Sequence, residues 1–289
     1  MEIYLDANAT TPVLPQAREA ALAAMAEDFG NPSSIHSTGL KARALMDGVR
    51  ARARRVLGAG PGRLLFVSGA TEGIQTAVLS ALSALRDAPA RPSLLLYGAT
   101  EHKAVPEALK HWNALLGLGL QVQAIPVGRE GRHDLDWLRA HAPQAGLVCT
   151  MAANNETGVI SDLDGIAAAL ADSPALWLVD GVQALGKLPL RLAERRIDYA
   201  PFSGHKLYAP KGIGLLYVRE GAPFTPLLAG GGQEGALRSG TENMSGIAAF
   251  GAVLAAAAKM YIAPGEIERL SHEQPLLSIP LMMGMAVLM

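Results

Sequence analysis

Short apolar runs alternate with longer segments of helical period along most of the chain, and this alternation constrains the fold more than any other feature. Seven runs are predicted as strands: LLFVS (64–68), SLLLY (93–97), QVQAIPV (121–127), GLVCTMA (146–152), ALWLVD (175–180), YAPFS (199–203) and GIGLLYV (212–218). Helices are predicted between them at 71–86, 103–117, 134–141 and 163–172. The pattern predicts an α/β fold with a mainly parallel seven-stranded sheet and helices on both faces. Two further helices, 16–29 and 37–57, are predicted to form an N-terminal layer.

The charge balance argues against a nucleic-acid or membrane partner. The chain has 25 Lys and Arg against 26 Asp and Glu, a formal net charge of -1, which gives no overall attraction to polyanions. One basic cluster, VRARARRV (49–56), has no interleaved aromatic residues for base stacking. We therefore interpret it as the solvated face of a helix, and we expect no direct nucleic-acid contact and no membrane association.

The cysteine count and the first residues bear on the compartment. Cys149 is the single cysteine among the 289 residues, which excludes an internal disulfide framework and is typical of a reducing compartment. It lies within an apolar run, so we interpret it as a core residue. The opening MEIYLDANATT does not resemble a signal or transit peptide. A cytoplasmic protein is expected, and no metal site is predicted.

The composition changes near residue 260. The last eight residues hold four of the ten methionines, and the final segment LLSIPLMMGMAVLM carries no charge. A proline interrupts this segment, which is too short to span a bilayer. We therefore predict a large domain with an N-terminal helical segment over 1–259, and an atypical tail over 260–289. We expect the tail to result from a frameshift or a truncation.

In parallel α/β sheets, ligands bind beyond the carboxyl ends of the strands, so the residues that follow each predicted strand are candidates for a site. The loop SGATEG (68–73) opens a helix after the first strand. Gly69, Ala70 and Thr71 could hold a phosphate through two free backbone amides and the Thr71 hydroxyl. The alternative is that Ser68 or Thr71 simply caps the helix.

Two further loops contain polar candidates whose roles stay open at this point. His102, in ATEHKAV, lies near another helix start, where an imidazole can stack on a flat ligand, move protons or only cap the helix. Asn154, Asn155 and Glu156, in AANNETG, can bind a ligand or form a tight turn.

Asp180 ends a strongly apolar strand in ALWLVDGVQ. A carboxylate in such a place is costly unless a cation or several donors meet it. A positively charged group is therefore expected beside Asp180, and Gln183 could reach the same ligand from the following turn.

Lys206 follows another strand, in PFSGHKLYAPKGIG. Shelter from water lowers the pKa of an ammonium and frees the amine to attack a carbonyl, as in a Schiff base. A phosphate loop, an imidazole, a carboxylate and this amine together describe a pyridoxal 5′-phosphate site. The competing interpretation makes Lys206 a surface residue with Asp180 as its salt-bridge partner.

Eight segments together resemble the class V aminotransferase group, and most closely the NifS-like cysteine desulfurases of pyridoxal phosphate fold type I. They are YLDANATTPV, FGNPSSIHSTG, FVSGATEG, TEHKAV, AANNETGV, LVDGVQALGKLP, FSGHKLYAPKGIG and GGGQEGALRSGTENM, in order from residue 4 to residue 244. The segment SGHK with its glycine-rich sequel is the most specific of them.

The resemblance implies a role for each matched residue. Lys206 would bind the cofactor covalently and then carry protons, while His102 would stack on the ring and assist. Asp180 would keep the ring nitrogen protonated. The other implied contacts are Asn155 and Gln183 near the phenolic oxygen, Ala70, Thr71, Ser203 and His205 at the phosphate, and Asn8 and Ala9 near the substrate. Thr241, in RSGT, would reach the phosphate of the neighbouring subunit, which implies a homodimer.

The resembled enzymes convert L-cysteine to L-alanine and pass the sulfur through an enzyme cysteine to iron–sulfur cluster or thio-cofactor assembly. L-cysteine as substrate and an iron–sulfur scaffold or another sulfur acceptor as partner are therefore implied. We do not find the family's reactive cysteine or its carboxylate-binding arginine in this sequence, so we expect impaired turnover. Two alternatives stay open: a related pyridoxal phosphate lyase or aminotransferase, and a non-catalytic remnant that dimerises.

Overall fold

The computed structural model describes residues 3–88 and 92–257, which fold into seven strands and seven α-helices. The strands are β1 (Arg63–Val67), β2 (Leu94–Gly98), β3 (Gln121–Ile125), β4 (Ala145–Met151), β5 (Leu176–Asp180), β6 (Tyr199–Ser203) and β7 (Gly214–Val218). The helices are α1 (Pro15–Ala26), α2 (Ser37–Leu57), α3 (Ala70–Arg86), α4 (Ala104–Leu115), α5 (Leu135–His141), α6 (Leu163–Ala169) and α7 (Met244–Ala257). Every predicted strand forms close to its predicted ends.

The seven strands form one sheet in the order β1-β7-β6-β5-β4-β2-β3. All neighbouring pairs are parallel except those of β7, which runs antiparallel to β1 and β6. The prediction of a mainly parallel α/β sheet is confirmed. Because β7 is reversed, its first residue, Gly214, pairs with the last residues of its neighbours, Val67 and Ser203. The start of β7 therefore lies at the edge where the other six strands end.

Alternate side chains of each strand enter separate cores on the two faces of the sheet, as the period of two requires. Leu64 and Phe66 belong to one core, and Leu65 and Val67 to the other. Helices α3 and α4 cover the second face, whereas α1, α2, α5, α6 and α7 contribute to the first core. Helices thus lie on both faces, as the alternation in the sequence predicts.

Local chemistry sets several helix ends. The carboxylate of Asp134 accepts a 2.9 Å hydrogen bond from the Trp137 amide at the start of α5. Asp162 does the same for Gly165 in α6, at 2.8 Å. Gly58 ends α2 in the left-handed conformation, with φ of 57°, which glycine adopts without steric cost.

Helix α7 is missing from the predictions. Its sequence, MSGIAAFGAVLAAA, has no charge and no polar face, and ten of its residues are buried. It packs against α1 and α2. A helix that is apolar all round has no amphipathic stripe, so its period gave no signal. Both helices of the N-terminal layer therefore pack against α7.

The prediction that the basic cluster 49–56 is a solvated face is largely wrong. Arg50 forms a 2.8 Å ion pair with Glu234 and lies over the ring of Phe66. Arg52 donates to the carbonyl of Gly251 at 2.8 Å, and Arg54 donates to that of Gly62 at 2.7 Å. These arginines join α2 to other elements, because their long side chains reach past the exposed face.

Among the residues that the structure describes, no helix is both long and apolar enough to cross a membrane. The predicted tail, 260–289, lies outside the described residues.

Candidate active site

A cavity of about 660 Å³ opens at the edge of the sheet where the parallel strands end. That volume is typical of sites for small molecules and cofactors. Nine of the ten predicted site residues line it: Ala70, Thr71, His102, Asn155, Asp180, Gln183, Ser203, His205 and Lys206. They come from five separate stretches of the chain, at or just after strand ends, so the sheet topology brings them together.

Lys206 enters the cavity from a short 3-10 turn, Gly204–Lys206, directly after β6. Its Nζ donates hydrogen bonds to the backbone carbonyls of Asn8 and Ala9, the latter at 2.8 Å. The N-terminal segment therefore lies against the amine, and Asn8 and Ala9 also line the cavity.

Partial burial lowers the pKa of the Lys206 amine. The negative charges of Asp6, Asp180 and Glu156 oppose this effect but do not reverse it. The neutral, nucleophilic form is therefore more accessible at a given pH than in a free lysine.

Asp180 ends β5 and is buried, with 6% of its surface exposed. One carboxylate oxygen accepts a 2.9 Å hydrogen bond from the Val182 amide. Burial raises the pKa of Asp180, while this hydrogen bond and the charges of His102 and Lys206 lower it by less, so the net shift of the pKa is upward. The alternative of a surface salt bridge is not supported, because Lys206 is half-buried and directs its hydrogen bonds to backbone carbonyls.

The start of α3 is open toward the cavity. Gly69 is the N-cap residue and no side chain caps the helix, so the alternative in which Ser68 or Thr71 is the cap is wrong. Ser203 lies beside this turn, since a Cβ on Gly69 would stand 3.5 Å from the Ser203 hydroxyl oxygen. Helix-start amides and a hydroxyl at one place are suited to an anion.

An acidic residue in the first turn of α3 is neutralised internally. Glu72 accepts a 2.8 Å hydrogen bond from the Ser68 amide and a 2.9 Å hydrogen bond from Arg238. Burial raises the pKa of Glu72, but these hydrogen bonds and the charge of Arg238 together lower it by a larger amount, so the net shift of the pKa is downward. The carboxylate is thus already paired and repels an anion at the helix start less strongly than a free one would.

His205 and His102 lie at different walls of the cavity. A ring nitrogen of His205 is 3.1 Å from the Thr10 hydroxyl. Burial, followed by the charges of Lys206 and Lys211, lowers the pKa of His205. His102 is exposed, and its Nδ1 accepts a 3.2 Å hydrogen bond from the Ala104 amide. The His102 ring therefore binds the first amide of α4 and lines the cavity at once, and no hydrogen bond to its other ring nitrogen is found within the described part of the chain.

The polar residues of the loop after β4 have two separate roles. The side-chain oxygen of Asn154 accepts from the amides of Glu156 and Thr157 at 2.9 and 2.8 Å. Asn154 thus forms the turn, whereas Asn155 and Glu156 line the cavity. Asn8 holds this loop through a 3.0 Å hydrogen bond to the Asn155 carbonyl.

Gln183 is buried and held at both ends of its amide. Its Nε2 donates to the Asn8 carbonyl at 3.1 Å, and its Oε1 accepts from Lys187 at 2.8 Å. Sequence reasoning missed Lys187, whose only signal is a helical spacing of four residues from Gln183. It also missed two charged residues of the cavity wall, Asp6 and Lys211.

Thr241 does not line the main cavity. It belongs to a smaller one of about 110 Å³. Ser68 and Gly212 line both cavities, so the two adjoin. The predicted contact of Thr241 with a neighbouring subunit's phosphate stays a prediction.

Cys149 lies in the middle of β4 and is fully buried. Burial, followed by the negative charges of Glu101 and Asp180, raises its pKa well above the ordinary value of a thiol. Its interpretation as a core residue is confirmed. A thiol that stays protonated and has no access to solvent is a poor nucleophile.

The donor set fits pyridoxal 5′-phosphate. A half-buried amine can take the aldehyde, a buried carboxylate that forms no ion pair within the described residues can meet a protonated ring nitrogen, and an open helix start can take the phosphate. These three groups lie around one cavity of suitable size.

Comparisons with known proteins agree with this chemistry. The family model described as aminotransferase class-V matches residues 3–276. A cysteine desulfurase of Cereibacter sphaeroides is 42% identical over 251 residues, covering 86% of this chain and 63% of the relative. One of Gluconacetobacter diazotrophicus is also 42% identical, with 61% of its length covered. A solved structure titled NifS-like protein is 36% identical, with a TM-score of 0.84 over 90% of this chain and 70% of that one. The chain thus spans less than two thirds of these curated relatives.

Proposed function

The chain belongs to the aminotransferase class-V family, whose cofactor is pyridoxal 5′-phosphate, and we propose that it carries out the cysteine desulfurase reaction. The two curated relatives reported above carry that name. The overall reaction takes L-cysteine and an acceptor thiol and yields L-alanine and a persulfide. The carbon–sulfur bond of cysteine breaks, a sulfur–sulfur bond forms on the acceptor, and the thiol proton is returned to carbon.

The observation that carries the proposal is the placement of Lys206 and Asp180 around one cavity. Both side chains line it, and their charges act on each other's pKa. A lysine with a lowered pKa forms a covalent bond to an aldehyde more readily. A buried carboxylate gains a charge-assisted hydrogen bond when it meets a cationic ring nitrogen.

When bound, pyridoxal 5′-phosphate supplies an aldehyde and an electron-withdrawing ring that stabilises negative charge on the substrate. Lys206 would hold the cofactor and, once released, move protons at its Nζ. Asp180 would keep the ring nitrogen protonated, and His102 would cover the ring and exchange protons through its free nitrogen.

The other predicted contacts follow the walls of the cavity. Asn155 and Gln183 would face the phenolic oxygen. The amides of Ala70 and Thr71, with Ser203 and His205, would hold the phosphate, where the helix dipole favours negative charge. When the cofactor binds, Lys206 would give up its hydrogen bonds to the carbonyls of Asn8 and Ala9. These two residues would then lie next to the substrate.

The acceptor thiol is not Cys149, because that side chain is buried and its pKa is raised. The sequence has one cysteine, so the thiol has to come from outside these 289 residues. We propose an iron–sulfur scaffold or another sulfur-accepting protein as the final partner. A homodimer, in which Thr241 reaches the other subunit's phosphate, and a cytoplasmic location belong to the same proposal.

The test combines cofactor attachment with product analysis. Purified protein should turn yellow with pyridoxal 5′-phosphate, and borohydride should fix the cofactor on the peptide that contains Lys206. With L-cysteine and dithiothreitol as acceptor, alanine and sulfide should form in equal amounts. Lys206→Ala should lose the linkage and both products, whereas Lys110→Ala, on the exposed face of α4, should keep them.

Different products would point to different conclusions. Attachment to another lysine would overturn the site. A keto acid in place of alanine would indicate a related lyase or aminotransferase, and a protein that binds the cofactor without any turnover would indicate a non-catalytic remnant.

A further inference from the structure

Lys187 is a second lysine near the site, but it is not among the residues that line the cavity. It lies in the turn region after β5, four residues beyond Gln183, and its Nζ donates a 2.8 Å hydrogen bond to the Gln183 Oε1. Burial, followed by the positive charge of Lys206, lowers its pKa to about 8. Within residues 3–88 and 92–257, no carboxylate forms an ion pair with it.

The hydrogen bond from Lys187 determines which way the Gln183 amide faces. An ammonium has three donors and no acceptor, so the amide oxygen has to turn toward Lys187. The amide nitrogen then turns the other way, where it donates to the Asn8 carbonyl at 3.1 Å. Gln183 therefore presents a donor, not an acceptor, on the side of the cavity.

The far end of this chain of hydrogen bonds is the amine of the site. The Asn8 carbonyl accepts from both Gln183 and Lys206. When Lys206 leaves this carbonyl to bind an aldehyde, the contact with Lys187 still holds the Gln183 amide. Side-chain ordering before the ligand arrives reduces the cost of binding.

We propose that Lys187 is a positioning residue that fixes the Gln183 amide with its nitrogen toward the cavity, where it donates to the phenolic oxygen of bound pyridoxal 5′-phosphate. This inference rests on the proposed function, because it needs the cofactor in this cavity. A donor at that oxygen stabilises the negative charge on the oxygen. Both this donor and the positive charge of Lys187 lower the pKa of the nitrogen that joins Lys206 to the cofactor.

The first test compares Lys187→Met with Lys187→Arg, which keeps the donor, and with Lys110→Met as a surface control. Titration of apoprotein with pyridoxal 5′-phosphate should give roughly three- to tenfold weaker binding for Lys187→Met, the factor that one hydrogen bond contributes. The pH midpoint of the visible absorbance should move upward. Lys187→Arg should restore most of both values, and Lys110→Met should match the parent protein.

A double-mutant cycle separates positioning from general destabilisation. If Lys187 acts through Gln183, Lys187→Met should change cofactor affinity less than about twofold in a Gln183→Ala background. The same loss in both backgrounds, or a Lys187→Met protein with the affinity and midpoint of the parent, would overturn the proposal. Should Lys187→Met not fold, Lys187→Gln takes its place in the cycle, because its amide can both donate and accept and no longer selects one orientation of Gln183.

Failure of the proposed cofactor site, on which this inference rests, has a different signature. In that case the parent protein itself would not bind the coenzyme or develop the visible absorbance. Failure of the Lys187 inference alone would leave a yellow parent protein with a Lys206 linkage and no energetic coupling between Lys187 and Gln183.

Discussion

The amine of Lys206 donates a 2.8 Å hydrogen bond to the carbonyl of Ala9, which lies 197 positions earlier in the chain. The segment around Ala9 is held there by further contacts, including a 3.0 Å hydrogen bond from the Thr11 amide to the His205 carbonyl. The N-terminal segment therefore forms a wall of the cavity and shelters the amine from water. Burial of the amine is the main cause of the lowered pKa of Lys206.

The lowered pKa of Lys206 should be visible in the kinetics of cofactor attachment. Only the neutral amine attacks an aldehyde, so the attachment rate should rise with pH through a midpoint below the ordinary lysine value of 10.5. Rapid-mixing absorbance measurements between neutral and alkaline pH would give this midpoint, with Nα-acetyl-lysine as the reference amine. A midpoint at or above that of the reference would contradict the sheltered geometry.

Asp180→Asn should separate cofactor binding from folding. The amide keeps the shape of the side chain but removes a charge whose burial is unfavourable, as the raised pKa of Asp180 shows. We expect apoprotein at least as stable as the parent at neutral pH, and about 10- to 100-fold weaker binding of pyridoxal 5′-phosphate, the loss expected for a charge-assisted hydrogen bond. Thermal unfolding and cofactor titration would measure the two effects. Equal cofactor affinity in both proteins would refute the contact with the ring nitrogen.

Lys187 should make stability depend on alkaline pH. Its pKa is about 8 in the folded protein against 10.5 in the unfolded chain, so the unfolded state binds more protons between these values. The free energy of unfolding should therefore rise between pH 8 and pH 10.5, and this gain should be lost as the pH is lowered from 10.5 to 8. The largest change in the free energy of unfolding that this pKa shift can cause is roughly 3 kcal/mol. The difference between parent and Lys187→Met in urea unfolding isolates this residue from the other lysines and tyrosines, and a flat difference would show that its pKa is unshifted.

Asp198 should be the most sensitive ionic residue of the core. It is fully buried, and it accepts hydrogen bonds from the Trp177 amide at 2.8 Å and from Arg219 Nε at 2.9 Å. Asp198→Ala leaves the amide and much of the guanidinium without a partner and should cost about 3–5 kcal/mol in the free energy of unfolding. Asp164→Ala breaks an ion pair with Arg195 in which the Asp164 side chain is 77% exposed, and it should cost at most about 1 kcal/mol. Urea unfolding would compare them, and similar losses would contradict the assigned burial.

Cys149 should not react in the native protein. Its thiol is buried and its pKa is raised, so a thiol reagent such as Ellman's reagent should react only after urea unfolds the chain. Cys149→Ala should keep the yellow absorbance and the Lys206 linkage. Rapid labelling of the folded protein, or loss of sulfide production in Cys149→Ala with dithiothreitol present, would mean that this cysteine takes part in the reaction.

The linear sequence predicted most of the elements and most of the residues that line the cavity. The period of two in runs such as LLFVS, and the helical period between the runs, are local properties that neighbouring residues encode. Asp180 and Lys206 could be identified because Asp180 ends an apolar strand and Lys206 follows one, and the ends of parallel strands meet at one edge of a sheet. The resemblance of the short segments added roles to these positions.

The tertiary structure decided which distant groups meet. Helix α7 is apolar on every side and becomes recognisable only when α1 and α2 pack around it. The arginines of α2 found partners such as Glu234, 184 positions away, so a cluster that looked solvated joins elements of the fold. In the same way, the amide of Gln183 is oriented by Lys187 and by Asn8, 175 positions earlier. Periodicity reports which face of an element is apolar, whereas the partner of a long polar side chain depends on how the chain as a whole packs.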